Sequence, residues 1–227
     1  MKTIISVIMF LMMTTLSYSN DIYVTQSGNA LDLDITQDGE NNTVGNSTTA
    51  SSSTGATTIL NIDQIGDSNV ITYQINGATY TGVINLVGSS NNVDLNCDST
   101  GGNSSCGTAN AVINFTGSSN DIDLDIGQTS SANTADVDIV GQSGSDSNVV
   151  AATVDGNSAV LTITVNGDTN NYLIDIDGNG DSVGHTLIHS HTGGIADVDI
   201  IQSGTNDNMI TLTTSGDNAD IDISQTD

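Results

Sequence analysis

The side chains best suited to chemistry lie late in the chain. His185, His189 and His191 share one parity with Leu187, so an extended strand sets three imidazoles on one face. With neighbouring Asp such a set suits zinc or copper, and the plainer alternative is a polar surface or corner. Just before them, Asp175, Asp177, Asn179 and Asp181, spaced by Gly178 and Gly180, resemble the opening of an EF-hand calcium loop. The twelfth loop position is Thr186 instead of the bidentate Glu, and no helical pattern flanks it. An Asp/Gly turn in an Asp-rich chain is the simpler reading. Ser, His and Asp all occur, but no nucleophile motif holds them in a defined turn. No catalytic residue and no enzyme activity are therefore expected. Tyr23, Tyr73, Tyr80 and Tyr172 are too scattered for a carbohydrate-stacking platform.

The elements that would position any of these groups are announced by a recurring turn. It reads Gln37-x-Gly39 to Asn42, Gln64-x-Gly66 to Asn69, Gly88 to Asn91, Gly117 to Asn120 and Gly167 to Asn170. Stretched versions run from Gly144 to Asn148 and from Gln202-x-Gly204 to Asn208. Gln26 with Gly28, Gln128 and Gln225 extend the set. Glycines fall about every eleven residues, as at Gly66, Gly77 and Gly88, and a short fixed period is the mark of a repeat architecture.

Between turns the chain alternates with period two. Ile122, Leu124 and Ile126 fall on one parity and Asp121, Asp123 and Asp125 on the other; Ile221 and Ile223 alternate with Asp220 and Asp222. This predicts half-buried β-strands with one aliphatic and one polar face. The Gln before a turn and the Asn after it usually share the aliphatic parity, so they point inward. A buried amide is costly unless bonded, and a stack of like turns satisfies it as an amide ladder. Gln142 breaks the parity, and Gly141 is read as a one-residue bulge that resets the register.

The expected fold is all-β: a β-solenoid of strand-turn-strand rungs of about 22 residues, about eight in all, stacked about 4.8 Å apart. Residues 20–227 form one domain, with loop insertions expected near 45–56 and 97–108. Cys97 and Cys106 bracket a short loop and read as a local disulfide worth roughly 2–3 kcal/mol.

Residues 1–19 carry Lys2, an apolar run and small residues at Ser17 and Ser19, which predicts a cleaved secretory signal and no membrane insertion afterwards. Its removal takes away the only cation and leaves 27 acidic residues unopposed. Nucleic acid and anionic membrane surfaces are excluded as partners by that charge. No cofactor is expected beyond non-specific screening of the Asp rows by calcium or magnesium. Stacked Asp about 5 Å apart repel by roughly 0.8 kcal/mol per pair in water, while each buried aliphatic chain returns about 1.5–3 kcal/mol.

At this point the chain resembles the curlin repeat, Ser-x5-Gln-x-Gly-x2-Asn-x-Ala-x3-Gln. Gln64, Gly66 and Asn69 match its centre, as do Gln37, Gly39 and Asn42. Ile71, Val93 and Ile122 stand where it has Ala, and Ile75, Ile126 and Ile176 where it ends in Gln. The resemblance implies a subunit of extracellular curli-like amyloid fibres, exported through an outer-membrane channel, started by a nucleator and stacked end to end on copies of itself. A fibre-forming subunit, a nucleator and a monomeric acidic solenoid or fibre-tip adhesin that binds cations or a surface are the alternatives.

Overall fold

The computed structural model describes residues 20–45, 50–66, 68–97, 106–127, 134–156, 158–178, 185–204 and 208–226. Residues 1–19, on which the expected secretory signal falls, lie outside them, as do Gln128, Asn179, Asp181, 46–49 and 98–105. Among the described residues there is no helix. Period-two segments without proline have only one way to satisfy their backbone, which is to pair, and here they pair in parallel.

The chain winds as a β-solenoid of about 7 turns with two parallel sheets facing each other. One sheet stacks β3 (Ala30–Asp38), the second half of β5 (Ser51–Ile65), the second half of β6 (Val70–Val87), β8 (Thr108–Thr116), β10 (Thr134–Gly141), β12 (Ser158–Asn166), β14 (Thr186–Thr192) and β16 (Met209–Ser215). The other stacks β1 (Asn20–Ile22) and β2 (Thr25–Ser27), then β4 (Asn42–Val44) with the start of β5. It continues through the start of β6, β7 (Asn92–Cys97), β9 (Asp121–Ile126), β11 (Val149–Gly156), β13 (Asn170–Gly178), β15 (Ala196–Ser203) and β17 (Ala219–Thr226). Strands β5 and β6 run unbroken round one corner at Gly55 and Gly77.

Register places like residues above one another. One inward column reads Ile35, Ile62, Ile84, Ile113, Ile139 and Ile163, and then His189 and Leu212. Its members from Ile62 to His189 are fully buried. The opposing sheet contributes Ile71, Val93, Ile122, Val150, Tyr172 and Val198 as another column. These rows are the core, and they stabilise each turn against its neighbours.

Two expectations need correction. Residues 51–56 are not a projecting loop: Ser51–Gly55 pair with Tyr73–Gly77 inside the sheet. The two buried hydroxyls there are bonded within the protein, with Val24 N donating to Ser51 Oγ (3.0 Å) and Ser53 Oγ 3.0 Å from Thr58 Oγ1. Small residues there lie beside the bulky Tyr73 of the next turn. Nor is Gly141 a bulge, because it pairs in register with both Phe115 and Val165. A Cβ at Gly141 would lie 2.6 Å from Phe115 Cζ, so the glycine makes room for the Phe115 ring.

Candidate functional site

The turn motif divides between two kinds of corner. Leaving the first sheet, the corner holds Gly39, Gly66, Gly88, Gly117 and Gly167, followed by Asn42, Asn69, Asn91, Asn120 and Asn170. The residue before the Asn takes a left-handed backbone, as at Asn41, Ser68, Ser90, Ser119 and Thr169. Gly66 and Gly117 have φ of +140° and +124°, and an added Cβ would fall 1.6 Å from the carbonyl oxygen of the glycine one turn below. A side chain there would drive adjacent turns apart, so the corner glycine sets their spacing.

Each Asn after that corner is buried, and Asn91, Asn120 and Asn148 each bond both their own corner and the next Asn. Between Asn69 and Asn91 the ladder is interrupted, because Asn69 donates to Gly66 O and Val87 O. Asn120 Nδ2 donates to Gly117 O in its own turn (2.7 Å) and to Asn148 Oδ1 in the next (2.9 Å). Asn91 does the same with Gly88 O and Asn120 Oδ1. Asn148 bonds Ser145 O and Asn170 Oδ1, and Asn42 bonds Asn69 Oδ1 at 3.0 Å. Ladder partners are separated by 27, 29, 28 and 22 residues, so the same amide bond bridges turns of different length. The column ends where Asn170 meets Ala196 and then Ala219. The bond from Asn69, Asn91, Asn120 and Asn170 to the carbonyl of the glycine three residues earlier was missed in the sequence, although Gly-x-x-Asn spacing is its signature. Gly144 (φ +86°) stands outside this stack, and Ser145 occupies the position beneath Gly167.

Glutamines follow a different rule. Gln64 Nε2 donates to Gln37 Oε1 at 2.6 Å, but the next residue in that column is Leu86. The inward Gln ladder is thus one bond long there. At the other corner, Gln202 donates to His185 O (3.2 Å), Gln225 to Asn208 O (2.9 Å) and Gln26 to Ala30 O (3.3 Å). These glutamines tie the end of one strand to the start of a strand in the facing sheet. Gly28 and Gly204 (φ +129°) lie at that corner, and Asn208 accepts from His185 N instead of joining the Asn column. Gln142, off the inward parity, is exposed.

No protein-family model, no curated protein and no solved structure matches this chain.

All three histidines are buried and none forms a polar surface: His189 and His191 point inward from β14, and His185 lies at the corner just before it. His189 is fully buried with neither ring nitrogen bonded, and its ring lies edge-on to Tyr172 at 4.3 Å. His191 Nδ1 is 2.9 Å from Tyr172 Oη, and His185 Nδ1 accepts from Ala159 N. Burial lowers the pKa of His189 to about 4, with a smaller contribution from His191 beside it. Burial also lowers His185 and His191, opposed by Asp177 and Asp168 respectively. Asp175 and Asp177 lie in strand β13 on its outward parity and not in a calcium-type loop. Asp177 Oδ1 accepts from Ser203 Oγ at 2.5 Å. Among the described residues no group of three or more His, Cys, Asp or Glu is placed to hold a metal.

Cys97 and Cys106 are joined as a disulfide, Cα atoms 5.8 Å apart, and both sulfur-bearing residues are buried. Outside, carboxylates stack from turn to turn. Asp94 pairs in register with Asp123, whose carboxyl is pushed up first by desolvation and then by Asp94 and Asp121.

Proposed function

We propose that this chain is a structural subunit of extracellular curli-like amyloid fibres, used for adhesion and biofilm matrix, that polymerises by stacking β-edge on β-edge. The match between the first and last described turns is the observation that supports this best. The column that starts at Ile22 passes through Val44, Ile71, Val93, Ile122, Val150, Tyr172 and Val198 and ends at Ile221. In the facing sheet, Leu33 heads a column that ends at Ile210, and Ile35 one that ends at Leu212.

Among the described residues, β3 pairs only with β5, β16 only with β14 and β17 only with β15. Ile221 and Ile223 are 37% and 48% exposed at that last edge. A second copy that laid its first turn on β16 and β17 would set aliphatic on aliphatic and pair both open backbones. Because all strands are parallel, the contact is head-to-tail and does not close, which gives a filament. An outer-membrane export channel and a nucleator are the further partners this function needs.

The stacked carboxylates Asp94 and Asp123, with Asp121 beside them on the same strand face, favour a second reading, a monomeric acidic solenoid or fibre-tip adhesin that meets cations or a surface. Incubating the chain from residue 20 onward in salt separates the two. Fibres with cross-β diffraction are expected, and they should be blocked by Ile223→Lys at the open edge. A folded chain that stays monomeric in salt with calcium overturns the fibre reading.

A further inference from the structure

The outside of the solenoid is unevenly charged. In its later turns, one sheet carries Asp175, Asp177, Asp197, Asp199, Asp220 and Asp222 on the outward parity. The facing sheet in the same turns is built from β12, β14 and β16, and these strands contain no Asp or Glu at all. Register arranges their outward residues as a lattice in which Thr162, Ile188 and Thr211 form one column and Thr164, Ser190 and Thr213 the next. Val160, Ile188 and Met209 are 36%, 39% and 48% exposed on it. For a chain with one cation and 27 acidic residues, a strip three strands wide without a carboxylate is a marked departure.

We propose that this charge-free strip is where two stacks of this chain pair side by side, sheet face against sheet face. The proposal rests on the stacking function above. The occupant is a second copy because of charge. Two copies meeting through the acidic sheet bring rows of carboxylates together, whereas two copies meeting through β12, β14 and β16 bring hydroxyls and methyls together. Size then sets the conditions. Three strands about 4.8 Å apart and about 25 Å long make a strip of roughly 350 Å² per copy. A stable complex buries about 800 Å² per partner. A pair of single molecules therefore falls short, and the contact becomes sufficient only when the strip recurs along a stack. Asp136 and Asp138 of β10 border the strip, so pairing brings those carboxylates near their counterparts and requires salt.

The test is the mass per length of assembled filaments by scanning transmission electron microscopy. Wild-type filaments in about 0.5 M salt are expected to carry twice the mass per length of those in low salt. The Thr164→Asp/Thr213→Asp double variant, altered at two exposed outward positions, should stay single at both. An Asp199→Asn/Asp222→Asn control on the other sheet should double as wild type does. Single wild-type filaments in high salt, or doubling by the Thr→Asp variant, overturns the pairing and leaves stacking intact. Absence of any filament overturns the stacking function and the pairing with it. Should the Thr→Asp variant fail to fold, judged by its circular dichroism, the wild-type salt response and the Asp→Asn control decide alone.

Discussion

Asn120 Nδ2 lies 2.9 Å from Asn148 Oδ1 in the adjacent turn, and the same atom donates to Gly117 O at 2.7 Å. Asn148 Oδ1 also accepts from Asn120 N at 2.9 Å. One side chain thus closes its own corner and bonds the next, so its removal strands groups in two turns. Asn120→Ala should cost about 1–3 kcal/mol, and Asn120→Asp more, since a carboxylate would sit buried with two of its lone-pair partners intact but no amide to donate. Chemical denaturation of each variant measures this. An Ala variant as stable as wild type would remove the ladder from any account of stability.

Corner glycines should differ sharply. Gly117→Ala places Cβ 1.6 Å from Gly88 O at a φ of +124°, whereas Gly144→Ala meets nothing within 4 Å at φ +86°. The first is expected to prevent folding, and the second to cost about 1 kcal/mol through backbone strain alone. Equal melting temperatures for the two would show that turn spacing is not set by the glycine stack.

Gly141 and Phe115 form a volume pair. Gly141→Ala alone should destabilise by about 1–3 kcal/mol through overpacking against the Phe115 ring. Shrinking the ring with Phe115→Leu in the Gly141→Ala background should recover part of that loss. A double-mutant cycle with no coupling would contradict the packing.

Acid should weaken the fold through His189. Its folded pKa of about 4 lies below the ordinary 6.5, so the unfolded chain takes up the proton first as pH falls. The contribution is full above pH 6.5, declines between 6.5 and about 4, and is lost below; it amounts to roughly 3 kcal/mol. Asp123 and Asp175, pushed up by desolvation first and by neighbouring Asp second, act in the opposite direction at lower pH. The difference between wild type and His189→Ile, which continues the isoleucine column, isolates the imidazole. A difference that does not change between pH 7 and 5 would exclude this role.

The stacked Asp should make stability depend on salt. Asp123→Asn removes one carboxylate from the Asp94 row and should raise the melting temperature by a few degrees in low salt, with the gain fading near 1 M salt. A gain that persists in high salt would point to packing instead of charge.

Much of this was written in the chain. Alternation such as Ile122-Asp123-Leu124-Asp125 leaves no choice but a strand with one buried face, and Gly-x-x-Asn recurring between such strands requires stacked turns. The inward parity of Asn69 or Gln202 was equally legible, since side-chain direction in a strand depends only on odd or even position.

Register was decided by the tertiary structure. Whether an inward Gln finds another Gln or Leu86 depends on which residue lies one turn away, and partners one turn apart are separated here by anything from 22 to 29 residues. The same holds for Ser51–Gly55, whose polar composition suits a loop until Tyr73–Gly77 is laid beside it. It holds for His189, which looks like a ligand or surface group until the isoleucine column claims its position. Local pattern determines which face a side chain occupies, because that is a property of one strand. What the side chain meets there is a property of two, and only the wound chain brings the second alongside.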